Sequence, residues 1–150
     1  MTTIHILFGT ESGNAEMAAD DIAEALQGQG FDTDITELSE ADTSSLAEME
    51  LAVFVTSTYG EGSLPETAEP FHHTLITELP DLSNLHYAAF GLGDSGYETF
   101  NNGIETLRAA LDRLGAQQIG ETAKHDAASG ESVTDVASTW AQTLMSLIPA

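Results

Sequence analysis

The sequence predicts an α/β domain built as a three-layer, doubly wound parallel sheet of five strands with helices on both faces. Short apolar runs of strand character alternate with segments whose apolar residues recur at helical spacing. The run LAVFVT, beginning at Leu51, is almost wholly apolar, as a strand covered on both faces must be. No repeat, low-complexity tract or Pro/Gly/Ser linker interrupts the 150 residues, so the chain reads as one domain over 1–150.

In order, strands are expected at residues 3–8, 32–38, 51–56 and 86–91, with a weaker one near 116–119. Ala15, Ala18, Ile22 and Leu26 mark the buried face of the first helix, with Asp20, Asp21 and Glu24 opposite. The connection at 39–50 is weakly patterned and holds at most a brief helix. Phe71, Leu75, Ile76 and Leu79 are expected to form the apolar face of the next helix. Ile104, Leu107, Leu111 and Leu114 mark another, which Gly115 should stop. Val133, Val136, Trp140, Leu144 and Leu147 mark the last, which ends before Pro149.

Composition removes several function classes. There are no cysteines, so disulfides, thiolate metal sites and a cysteine nucleophile are excluded. The five histidines fall in no metal-ligand spacing and read as surface or strand-end residues. Asp and Glu number 25 against 3 Lys and Arg, for a formal charge of −22. Such a chain has no basic footprint for nucleic acid, and a protein partner should be basic. No apolar run reaches the ~18 residues of a membrane span, and the N-terminus lacks signal-peptide form, so the expected location is the cytoplasm.

Ligands of a doubly wound sheet sit outside the carboxyl ends of its strands. The segments that follow those ends are GTESGNAE, STYGEGSLPE, GLGDSGYETFNNG and ETAKHDAASGE, the last read as a polar loop. TESGNAE is neither a dinucleotide fingerprint nor a P-loop. It also makes a poor capping box, because Ala15 and Gly13 stand where Glu or Gln would follow Ser12 and Thr10. Hydroxyls and a glycine at a helix start suit either an ordinary N-cap or a phosphate held by N–H groups and the helix dipole. Tyr59 and Tyr97 each lie among glycines. A Gly-flanked tyrosine is ordinarily a turn residue, but two at adjacent strand ends can stack on both sides of a flat aromatic ligand.

TESGNAE, STYGEG and GLGDSGYETFNNG together resemble the three FMN-binding loops of short-chain flavodoxins. The likeness is strongest to the FMN domains of diflavin reductases and their free-standing single-domain relatives. It covers the chain to the HDA segment and the Trp140 helix. It implies a sheet of order 2-1-3-4-5, non-covalent FMN and electron transfer. Carried over, Thr10, Glu11, Ser12, Gly13, Asn14 and Ala15 would wrap the FMN phosphate, although one common form of the loop has Thr or Ser where Ala15 stands. Ser57, Thr58, Tyr59, Gly60, Glu61 and Gly62 would line one face of the ring. Leu92, Gly93, Asp94, Tyr97, Phe100 and Asn101 would line the other face and the pyrimidine edge, while His125 and Asp126 approach the ribityl chain or ring edge.

The long insertion of long-chain flavodoxins is absent. Gly60 has the freedom to turn its carbonyl toward the ring. By the same resemblance, Glu11, Glu61, Glu66, Asp94, Glu98 and Asp126 form an acidic shell that would lower the flavin potential. The implied role is a monomeric electron carrier moving single electrons between a reductase and redox enzymes, with no catalytic residue and no metal of its own.

Other readings stay open at this point. A phosphoacceptor receiver shares the fold but needs acidic residues where Gly9, Thr10, Thr56 and Ser57 stand. A quinone-type reductase would need more pocket wall than these loops supply. A cofactor-free partner module would have no use for the tyrosine pair. The pair itself can be tested. Tyr59→Ala and Tyr97→Ala should each weaken FMN binding by up to about tenfold, since a ring stack contributes about 0.5–1.5 kcal/mol beyond burial. Titration of the apoprotein with FMN reads the effect, and wild-type affinity in both variants would exclude the sandwich.

Overall fold

A computed structural model describes residues 3–9, 14–41, 43–57, 68–93, 102–126 and 130–145. Strands β1 (Thr3–Gly9), β2 (Asp32–Glu37), β3 (Leu51–Ser57) and β4 (His86–Gly93) alternate with helices. The principal helices are α1 (Asn14–Gln27), α3 (Glu69–Glu78), α4 (Asn102–Arg113) and α5 (Val133–Met145). The connection after β2 holds a 3-10 turn, Leu38–Glu40, and the four-residue α2 (Thr43–Leu46). Strands β5 (Gln117–Gln118) and β6 (Ala123–Asp126) precede α5. All pairings are parallel, in the order β2-β1-β3-β4-β5, with β6 also on β4.

Side-chain alternation along the central strands divides the interior into two cores. Ile4, Ile6 and Phe8 of β1, Val53 and Val55 of β3, and Ala88, Phe90 and Leu92 of β4 face one way. They pack against Ala15, Ala18, Ile22 and Leu26 of α1 and against Ala137, Ala141 and Leu144 of α5. Leu7, Ala52, Phe54, Tyr87 and Ala89 face the other way, onto Phe71 and Leu75 of α3 and Ile104, Leu107 and Leu111 of α4. That two-sided burial explains the unbroken apolar run of β3. The polar β2, DTDITE, fits its place at the sheet edge.

Helix ends follow local chemistry. After α1, the N–H of Phe31 donates to Leu26 O at 3.2 Å and that of Gly30 to Gln27 O at 3.0 Å, with Gly30 at φ 92°. After α4, Ala116 and Gly115 donate likewise to Leu111 and Asp112, and Gly115 sits at φ 97°. Both are Schellman stops, in which glycine takes the left-handed turn without steric cost.

Two expectations need correction. Ile76 and Leu79 do not belong to the buried face of α3, being 47% and 61% exposed, while Phe71 and Leu75 are buried. Ile76 follows Leu75 by one residue, about 100° round the helix, and so leaves the Phe71–Leu75 face, while α3 ends at Glu78 and Leu79 caps it at φ 50°. The strand expected near 116–119 is present as the short β5, and a further strand, β6, extends the same edge. β5 pairs with His86 and Tyr87, and β6 pairs with residues 90–93 along the same strand. Residues 123–126, read from sequence as loop, are therefore β-structure, stabilised by a neighbouring strand that their polar composition does not advertise. The remaining expected strands hold, with β1, β3 and β4 running a residue or two further and β2 ending at Glu37, where Leu38 turns into the 3-10 segment. Leu147 and Pro149 lie outside the described residues.

The break between β5 and β6 is tied down on both faces of the sheet. On one, Arg108 Nε and Nη2 donate to Gln118 Oε1 at 3.0 and 2.6 Å, and Gln118 Nε2 donates to Thr122 Oγ1 at 2.8 Å. On the other, Trp140 Nε1 donates to Glu121 O at 3.1 Å while its ring packs edge-on against Phe90 at 5.4 Å. Nearby, the buried Tyr87 hydroxyl donates to Asp112 Oδ1 at 2.5 Å. Desolvation, with the Asp112 hydrogen bond second, pushes that phenol well above its ordinary value.

Gly9, the last residue of β1, sits under Ala68. A β-carbon there would lie 2.6 Å from Ala68 Cβ and 3.2 Å from Leu38 Cδ1. Ala68 is a short side chain with no rotamer to escape into, so the contact must be relieved by backbone movement. Gly9→Ala should therefore destabilise the apoprotein by about 1–3 kcal/mol, read as a lower urea midpoint with an unchanged slope.

Candidate functional site

The carboxyl ends of β1, β3, β4 and β6 lie abreast. Gly9 pairs with Thr56, Ser57 with Leu92, and Gly93 with Asp126, so four strand ends form one continuous edge. Helix α1 begins at Asn14, shortly after β1 ends at Gly9, and α4 begins at Asn102 after β4. Parallel crossovers bring each of these helix starts to the carboxyl side of the sheet. The first-turn N–H groups of the fourteen-residue α1 are therefore available to an anion there.

Of the residues singled out in the sequence, the structure brings Asn14, Ala15, Ser57, Leu92, Gly93, His125 and Asp126 to this edge. Ala15 is fully buried, with its methyl group in the α1–α5 core. Thr10, Glu11, Ser12, Gly13, Thr58, Tyr59, Gly60, Glu61, Gly62, Asp94, Tyr97, Phe100 and Asn101 lie outside the described residues, as do Glu66 and Glu98.

Two polar side chains are buried among the described residues, and both belong to this edge. Thr56 is completely buried and its hydroxyl donates to Ser57 O at 3.2 Å. His125 is 7% exposed, with Nε2 2.9 Å from Glu131 O in the segment leading to α5. Burial of a polar side chain is costly unless it is hydrogen-bonded, and each of these two has a backbone partner. Sequence reasoning passed over Thr56, although it is the one polar residue of LAVFVT. The Glu131 contact had no signal in the sequence, because it depends on how α5 returns to the sheet.

The electrostatics of the edge are set by a shortage of cations. Arg108 and Lys124 both bind Glu105, at 2.7 and 3.1 Å. Among the described residues no cluster of His, Asp and Glu is arranged to hold a metal ion. No described helix is long and apolar enough to cross a membrane.

The edge thus defines a class of protein, a doubly wound α/β domain whose strand ends form one carboxyl edge. Its described donors are the first-turn N–H groups of α1 and the strand-end backbone at Ser57 and Gly93. That chemistry fits FMN, whose phosphate a helix N-terminus can hold without a cationic side chain.

Comparison with known proteins agrees. The profile of the flavodoxin family matches residues 6–140, and the chain belongs to that family. It is 32% identical to Protein MioC of Escherichia coli (strain K12) over 148 residues, covering 99% of both chains. It is 34% identical over 139 residues to the sulfite reductase [NADPH] flavoprotein alpha-component of Shewanella sp. (strain MR-7), covering 89% of this chain and 23% of that one. Among solved structures it superposes on a flavodoxin of Streptococcus pneumoniae with a TM-score of 0.85 at 28% identity, covering 98% of this chain and all of the other. Oxidised Flavodoxin 2 of Bacillus cereus gives 0.86 at 28% identity, covering 98% of this chain and 100% of that one. The chain is a short-chain, flavodoxin-like domain; the family's cofactor is FMN and its role is electron transfer.

Proposed function

We propose that the chain, acting over 1–150 as a single FMN-binding unit, is a mobile electron carrier that accepts electrons singly from a reductase and passes them to redox enzymes. The observation that carries this reading is the shared carboxyl edge, where Thr56 and His125 are buried at strand ends, taken together with the three flavodoxin-type loop sequences. The FMN phosphate would lie against residues 10–15 at the start of α1. Tyr59 and Tyr97 would flank the ring, with Ser57, Leu92, Gly93 and Asp126 on the adjoining backbone. When bound, FMN supplies the redox chemistry; the protein's part is to hold it, shield it and set the charge around it.

Similarity both to MioC and to part of the sulfite reductase flavoprotein component supports an electron-transferring domain. The −22 charge supports docking to basic partners, and self-repulsion at that charge supports a monomer in the cytoplasm. Equimolar release of FMN from the purified protein, with flavin absorption bands, is the expected result. A colourless protein that takes up no added FMN would exclude the reading.

The acidity also supports adaptation to a salt-rich cytoplasm, such as a halophile's. Two of the three cations converge on one carboxylate, which leaves the rest of the acidic surface to repel itself. The Debye length falls from about 10 Å at ~0.1 M salt to about 3 Å at ~1 M, so molar salt silences most of that repulsion. The melting temperature of the FMN-bound protein should rise from about 0.1 M KCl through about 3 M KCl, past the range where screening saturates. A melting temperature flat above about 0.5 M would leave partner docking as the explanation.

A further inference from the structure

We propose that Glu105, Lys124 and Arg108 form an ionic clasp that positions two walls of the FMN site against each other. This inference rests on the FMN reading above. Glu105 stands in the first turn of α4, and its two carboxylate oxygens are divided between elements. Oε2 accepts from Arg108 Nη1 at 2.7 Å within α4, while Oε1 meets Lys124 Nζ at 3.1 Å on β6. Arg108 also reaches Gln118 of β5 with its remaining donors. One carboxylate therefore ties the start of α4 to the edge strand.

Position gives the clasp its role. Glu105 lies within one helical turn of Asn102, where α4 begins at the carboxyl side of the sheet. Lys124 lies two residues before Asp126, which pairs with Gly93 at the carboxyl edge. The opposite side of the edge strand is held independently by Trp140 on Glu121 O, so the sheet does not need the clasp in order to form. Among the 3 cations of the chain, two are committed to this junction. Each side chain of the Lys124–Glu105 pair is about two-fifths exposed, at 39% and 38%. The interaction is accordingly modest and open to screening by salt.

The test compares Lys124→Met, Glu105→Gln, the double variant and Lys124→Arg. FMN affinity is measured by flavin fluorescence on titrating each apoprotein, and apoprotein stability by urea unfolding. At about 0.1 M KCl each single variant should bind FMN about twofold to fivefold more weakly, the range of a pair of this exposure. The double variant should be no worse than the weaker single one. Lys124→Arg, which keeps the charge, should stay near wild type, and the losses should shrink at about 2 M KCl. Wild-type affinity in both single variants overturns the clasp, and so does a fall in urea stability with affinity unchanged, which would mark the pair as merely structural. Losses equal at both salt concentrations, or no rescue by arginine, also overturn it, because packing rather than charge would then be responsible. Failure of the wild-type apoprotein to bind FMN overturns the underlying reading instead, so the two failures are distinguishable.

Discussion

The covering of β1, β3 and β4 on both faces is the constraint on which the other features depend. Each strand must present apolar side chains in both directions, and each does, with Ile6 opposed to Leu7, Val53 to Phe54, and Phe90 to Ala89. Once these strands are committed to two cores, their polar capacity is confined to the ends. A parallel arrangement then places every carboxyl end on the same side. Thr56 and His125 are buried there because the adjacent backbone can satisfy them, whereas deeper in the sheet the ladder bonds leave no spare partner.

The edges of the sheet are built differently. β2 is polar and exposed, and its continuation through Leu38 supplies one apolar side chain beneath Gly9. The opposite edge keeps a backbone bond from Ile119 N–H to Tyr87 O at 2.8 Å, breaks over residues 120–122, and is held across the break by side chains. A broken edge strand offers no long row of unpaired backbone groups to another chain. It also lets β6 pair with β4 up to Gly93, bringing His125 and Asp126 to the site.

Charge gives the fold a second character. With so few cations, ion pairs cannot stabilise the surface generally, and the two at Glu105 act at one junction. The interior carries the stability, through aromatic contacts such as Phe54 with Tyr87 and small residues that let α1 lie close on the sheet. Leu79 is an exception to the local rules, since an exposed leucine in the left-handed region caps α3 where glycine would be easier. Nothing in the described structure explains that choice.

The alternation of apolar patterns determined the doubly wound class, the central strands, the faces of α1, α4 and α5, and the stop at Gly115, because each depends on neighbours within a few residues. The phosphate-loop and tyrosine-loop sequences likewise identified the family, since the chemistry of a loop is written in consecutive residues. Only the tertiary structure decided the rest. Ile76 and Leu79 read as core residues by spacing, but the face that meets the sheet is that of Phe71 and Leu75, and α3 ends at Glu78 before Leu79. Residues 123–126 read as loop by composition and became a strand because β4 offered unpaired backbone beyond the β5 pairing. Glu105 and Lys124 are nineteen positions apart in sequence, and α4 and β6 had to pack side by side before their charges could meet. Pattern along a chain is local, whereas pairing and burial depend on which distant segment arrives alongside.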